Sequence, residues 1–128
     1  MRILAVDDNE VHCYALGKTL QQAGFEVVRA HTGHDALRAA RSEKPQVVLL
    51  DIGLPDVNGF EVCSLLKSDP TTSNISIVFH TASHRNMASR QRAESLGAMA
   101  FLTYPVETDQ LLMVVRSAAQ QANRPESL

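Results

Sequence analysis

Short apolar runs alternate with amphipathic segments along the whole of this 128-residue chain, the order expected of a parallel sheet with helices on its faces. Ile3–Val6 contains no polar residue, as in a strand buried on both sides, and Asp7-Asp8-Asn9 ends it. From about Glu10 to Ala23 the residues Val11, Ala15, Leu20 and Ala23 fall near helical spacing, and Gly24 follows as a terminator. Phe25–Ala30 reads as a second strand. Ala36, Leu37, Ala39 and Ala40 mark a second helix that must stop before Pro45. Val47–Leu50 is the most buried-looking strand and ends on Asp51. Gly53-Leu54-Pro55-Asp56-Val57-Asn58-Gly59 is a loop by its turn residues, and Phe60–Leu66 begins the third helix. Ile75–Phe79 is the fourth strand, closing at His80-Thr81. Asn86–Leu96 is a polar fourth helix ended by Gly97. Ala98–Thr103 is the fifth strand, and a last helix runs from about Glu107 to Gln121 with Leu111, Leu112, Val114 and Val115 as its apolar face. The reading is therefore one α/β domain over residues 1–121, a doubly wound five-stranded parallel sheet with five helices, followed by a tail or linker at 122–128.

Composition agrees with one globular domain: 45% of residues are hydrophobic and 20% charged, and the length suffices for one core without disulfides or a structural metal. Cys13 and Cys63 have no zinc-like spacing and read as packing residues in a reducing compartment. A formal net charge of -2 provides no clustered basic face for nucleic acid or anionic lipid, and no run is long enough to span a membrane. The expected location is the cytoplasm.

Chemistry-bearing side chains collect at the carboxyl ends of the predicted strands, where open parallel sheets hold ligands. Asp7 and Asp8 follow the first strand, Asp51 ends the third and Thr81 ends the fourth. If the first and third strands are neighbours, three carboxylates converge. Two like charges about 4 Å apart repel by roughly 4 kcal/mol at an effective dielectric of about 20, so such a cluster calls for a divalent cation. All-oxygen ligands suit Mg²⁺ or Mn²⁺. A carboxylate beside such an ion is a nucleophile toward phosphorus, and Asp51 is the best placed for that role. Thr81 can donate its hydroxyl to a phosphoryl oxygen, and the small Ala82 leaves the approach open. Taken alone, Asp7-Asp8-Asn9 would be a helix cap; the coincidence at three strand ends points further.

These residues carry a resemblance. Val6-Asp7-Asp8-Asn9-Glu10, Leu49-Leu50-Asp51-Ile52-Gly53-Leu54-Pro55-Asp56 with Asn58-Gly59, Thr81-Ala82, and Gly97-Ala98 followed by Phe101-Leu102-Thr103-Tyr104-Pro105 make the chain similar to the receiver domain of two-component response regulators over about residues 1–121. The resemblance implies a flavodoxin-like (CheY-like) fold with strand order 2-1-3-4-5. It implies that Asp51 accepts a phosphoryl group from a sensor histidine kinase or phosphotransfer protein. Asp8, Asp51 and the Gly53 carbonyl would bind Mg²⁺, with Asp7 acting largely through water. Thr81 and the aromatic position Phe101 would pass the signal to a face of helix four, strand five and helix five, which could contact a downstream output domain or protein or a second copy. The chain would be a stand-alone regulator or the receiver part of a longer protein, and a switch rather than an enzyme.

One departure matters. The family places a lysine before the proline after strand five, and Tyr104 stands here. A phenol donates a hydrogen bond but brings no positive charge, so the pocket should lean more heavily on its metal. The resemblance suggests a cis Tyr104–Pro105 bond, whereas sequence alone favours trans. Phe101 also lacks the hydroxyl of the tyrosine that many members carry. A receiver-like interaction module that works without phosphorylation is therefore the alternative, and a Mg²⁺-dependent phosphohydrolase ranks third because Gly53 occupies the position of such enzymes' second acid. His12, His31, His34, His80 and His84 lack metal-ligand spacing and read as solvated or backbone-bonded.

Overall fold

In the computed structural model, which describes residues 1–84 and 86–122, every predicted run becomes the element expected of it. The chain runs β1 (Arg2–Val6), α1 (Glu10–Gln22), β2 (Glu26–Ala30), α2 (Gly33–Glu43), β3 (Val47–Asp51), α3 (Gly59–Ser68), β4 (Ser76–Thr81), α4 (Met87–Ser95), β5 (Ala100–Thr103) and α5 (Thr108–Ala122). The five strands are parallel in the order β2-β1-β3-β4-β5. The central strands are the most apolar because both of their faces are covered, while β2 at the edge is only half-buried.

Alternation along the strands sorts the core into two layers. Leu4, Val6, Val48, Leu50, Ile77 and Phe79 face α2 and α3. Ile3, Ala5, Val47, Leu49 and Val78 face α1 and α5. Helix starts are set by Asn9, Thr32, Asn58 and Asn86, each of whose side chains accepts an amide hydrogen bond from the third residue beyond it. Helix α2 ends at Lys44, which takes a left-handed φ of 49° just before Pro45.

Boundaries move by a few residues. Asn86 caps α4 instead of lying within it, and Ala98 stays in the turn before β5. In α1 the buried face is Cys13, Leu16, Gly17 and Leu20, not Val11 and Ala15; Val11 lies two residues from Cys13, nearly opposite it around the helix, and is exposed. The apolar face of α5 is core, built on Leu111, Val115, Ala118 and Ala119 with Leu112 and Val114 at its margin. Of the tail, Ala122 still belongs to α5 and residues 123–128 lie outside the described residues. Tyr104–Pro105 is cis, as the resemblance suggested and local sequence did not.

Candidate functional site

The parallel register of β1 and β3 pairs Val6 with Leu50, so Asp7 and Asp51 leave the sheet side by side. Asn9 performs the capping of α1 through its own side chain, so neither aspartate before it serves as the helix cap. Carboxylate oxygens of Asp7, Asp8 and Asp51 lie within 4.8 Å of one another. They open into a cleft of about 310 Å³ whose walls include His12, Thr81, Ala82 and Tyr104.

The three acids differ in setting. Asp7 is buried, with Oδ1 accepting the Asn9 amide at 2.9 Å and Oδ2 bonded to Nδ1 of His12. Asp8 is exposed and Asp51 half-buried. Burial, followed by the nearby Asp7 charge, pushes the Asp51 carboxyl up to about 6, although hydrogen bonds from the Ile52 and Gly53 amides oppose the rise. A crowded carboxylate such as Asp51, whose ionisation is resisted in this way, is a good fit for a hard divalent cation, and Asp7, Asp8 and Asp51 offer it oxygen donors. Gly53 lies on the exposed loop directly after Asp51.

Thr81 is buried at the end of β4, and its Oγ1 accepts the amides of Ser83 (3.2 Å) and His84 (2.9 Å). Because both bonds are accepted, its hydroxyl proton remains available to the cleft. Tyr104 is tied to the same strand end by its amide, which donates to the Thr81 carbonyl at 2.9 Å. Its phenol oxygen is buried without a partner, and burial, then the Asp7 and Asp51 charges, hold the phenol in its neutral form. Phe101 stands apart from the acids: it is nearly buried, tilted against Phe79 with centroids 6.4 Å apart, and covered by the Arg90 guanidinium at 5.0 Å.

Two histidines belong to this region. His80 is buried, and its Nε2–H donates to the Val6 carbonyl at 3.0 Å; desolvation keeps its ring neutral. His12 bonds Asp7 and stands edge-on to Tyr104, with ring centroids 4.4 Å apart. Asp7, His12 and His80 also bring ligand-type atoms within 4.8 Å, but the bonds just described already engage both histidines. Among the described residues no lysine or arginine reaches the three carboxylates, and the basic side chain bonded to one of them, Asp7, is His12. Sequence reasoning did not find that contact; its signal was the i, i+5 spacing from Asp7 across a capped turn. Cys13 and Cys63 are buried with thiols pushed up to about 11 by desolvation, which suits packing rather than reactivity.

A family model described as the response regulator receiver domain matches residues 3–116. Over 116 residues the chain is 36% identical to the protein PilH of Pseudomonas aeruginosa, covering 91% of this chain and 95% of PilH. It is 41% identical to the response regulator PleD of Caulobacter vibrioides, again over 91% of this chain but only 25% of PleD. A response regulator from Burkholderia pseudomallei, whose crystal structure carries a phosphorylated aspartic acid, a calcium ion and citrate, superposes with a TM-score of 0.82 at 26% identity, over 94% of this chain and 69% of that one.

Proposed function

The chain belongs to the response regulator receiver domain family, and from that premise we propose that it is a phosphorylation switch with Asp51 as its acceptor. The observation that carries this reading is the convergence of Asp7, Asp8 and Asp51 beside Thr81 at the ends of adjacent strands. An oxygen of the Asp51 carboxylate attacks the phosphorus of a phosphohistidine on a sensor kinase or phosphotransfer protein. The P–N bond breaks, the imidazole leaves and takes up a proton from solvent, and an acyl phosphate remains on Asp51.

Asp8, Asp51 and the Gly53 carbonyl would hold Mg²⁺ or Mn²⁺, which when bound supplies charge neutralisation for the phosphoryl oxygens. Asp7, whose two oxygens already accept hydrogen bonds from Asn9 and His12, acts at one remove. The hydroxyl proton of Thr81 faces a phosphoryl oxygen, and exposed Ala82 leaves the donor's path open. The change at Thr81 passes along β4 to Phe101, paired in register with Phe79, and so to the face of α4, β5 and α5, where an output domain, a target protein or a second copy would be read out. No nucleic-acid contact is required of the domain itself. Among the described residues no helix is long and apolar enough to cross a membrane, and a cytoplasmic location fits a kinase-fed switch. The Burkholderia relative, with its phosphorylated aspartic acid and its cation, offers support for the same chemistry here.

Incubation with acetyl phosphate and Mg²⁺ tests the proposal by intact-protein mass spectrometry. One phosphoryl group should be added to the wild-type chain, and none to Asp51→Asn or in the presence of chelator. Absence of the adduct from the wild type would shift the function to an interaction module that needs no phosphorylation. Its persistence in Asp51→Asn would move the acceptor elsewhere.

A further inference from the structure

The pocket gathers three carboxylates and no described lysine or arginine touches them, so something else must steady the most buried of the three. We propose that His12 is a positioning residue of this pocket: it donates Nδ1–H to Oδ2 of Asp7, keeping that carboxylate out of the cation's ligand set, and Tyr104 braces its ring. The proposal rests on reading the pocket as a cation-binding phosphoryl acceptor.

Three features converge on it. Asp7 is nearly inaccessible, and each of its oxygens has a partner within the protein, Asn9 on one side and His12 on the other. His12 is oriented by the turn that begins α1, since its own amide donates to Asn9 Oδ1 at 2.9 Å; the same asparagine thus sets the helix start and the direction of the ring. The T-shaped contact with Tyr104, ring centroids 4.4 Å apart at 90°, walls the imidazole with the phenol ring. The phenol oxygen of Tyr104 makes no hydrogen bond, so in this state the tyrosine acts as that wall and not as a donor to Asp7. Removing the imidazole would leave Asp7 buried, negatively charged and short of a partner. A divalent cation would then be the nearest means of relief.

Titration calorimetry with Mg²⁺ alone tests this on the purified chain at mildly alkaline pH. His12→Ala should bind Mg²⁺ more tightly than the wild type by about fivefold or more. His12→Gln, whose amide can still donate to Asp7, should stay near the wild-type affinity. In an Asp7→Asn background the His12→Ala change should have no further effect. A general loosening of the pocket would weaken binding instead, so unchanged or weaker Mg²⁺ binding in His12→Ala overturns the proposal. So does an effect that persists without the Asp7 carboxylate, or a His12→Gln variant that behaves like His12→Ala. The measurement involves no phosphodonor, so failure of the acetyl phosphate reaction would sink the switch function while leaving this result to stand or fall alone.

Discussion

At Asp51 the needs of chemistry and of folding oppose each other. Its carboxyl ionises in the folded chain at about 6, chiefly because burial disfavours the charge and Asp7 adds to the penalty. An unfolded aspartate ionises at about 3.9. A raised folded value means that the ionised side chain destabilises the fold fully above about pH 6, that the penalty shrinks between there and pH 4, and that it vanishes below. Asp51→Asn should therefore stabilise the metal-free protein at neutral pH by about 1–2 kcal/mol, after the two-unit shift is discounted for the solvent that reaches a half-buried group. Urea denaturation in chelator at pH 7.5 should show the gain, and the same experiment near pH 4 should show it gone. The acid residues were legible because each sits at the end of an apolar run. The histidines were not: the carbonyl that accepts from His80 lies 74 positions away in the chain, and nothing in the sequence around His80 announces it.

Between elements, the site depends on how closely α3 backs onto the end of β3. The Gly59 amide donates to the Ile52 carbonyl at 2.8 Å, and a Cβ on Gly59 would sit 2.2 Å from the Asp51 carbonyl oxygen. Backbone cannot yield as a flexible side chain can. Gly59→Ala should cost about 1–3 kcal/mol or more in thermal or denaturant unfolding and should lower Asp51 phosphorylation by shifting the strand end. The same loop reaches in the other direction through Asp56, whose carboxylate accepts the amides of Gly33 (2.7 Å) and His34 (3.0 Å) at the start of α2. Those bonds draw its carboxyl down to about 2. A lowered value contributes stability that is complete above the unfolded value near pH 4 and is lost as pH falls toward 2. Asp56→Ala should thus melt earlier at pH 6 and show a flatter fall in melting temperature between about pH 4 and pH 2 than the wild type. Element identity was legible from periodicity, but the buried face of α1 was not. Its core side is made of Cys13, Leu16, Gly17 and Leu20, among which a glycine and a cysteine give weak hydrophobic signal, while the exposed Val11 gives a strong one.

Across the whole molecule, alternating patterns identify strands and helices, yet strand order is decided by crossovers that leave no local mark; order 2-1-3-4-5 came from motif resemblance and then from the sheet itself. That order places the three central strands under helices on both faces and leaves unequal anchoring among the helices. Helix α3 buries Gly59, Phe60, Val62, Cys63 and Leu66, and α1, α2 and α5 bury four residues each, whereas α4 buries Ala93 alone. Further hold comes from Arg92 over the Phe60 ring at 4.6 Å, from Arg90 over the Phe101 ring at 5.0 Å and bonded to the Phe101 carbonyl, and from the half-buried Leu96 at the helix end. Contacts of a cation over a ring contribute about 0.5–1 kcal/mol each at an exposed site, far less than a buried apolar face. Local opening follows the density of buried apolar contacts, so α4 should open well below the free energy of global unfolding. Hydrogen exchange followed by mass spectrometry should find its amides exchanging faster than those of the other four helices, with β1, β3 and β4 slowest. The helix is joined to Thr81 by a short loop, and the Thr81 hydroxyl that would donate to a phosphoryl group is the one that accepts the Ser83 and His84 amides, so the loop is coupled directly to the site. Acetyl phosphate with Mg²⁺ should therefore change exchange in α4 and in that loop in the wild type and leave Asp51→Asn unchanged. Uniform exchange across all five helices would show that the difference in burial does not govern opening and would remove α4 as the element through which the switch acts.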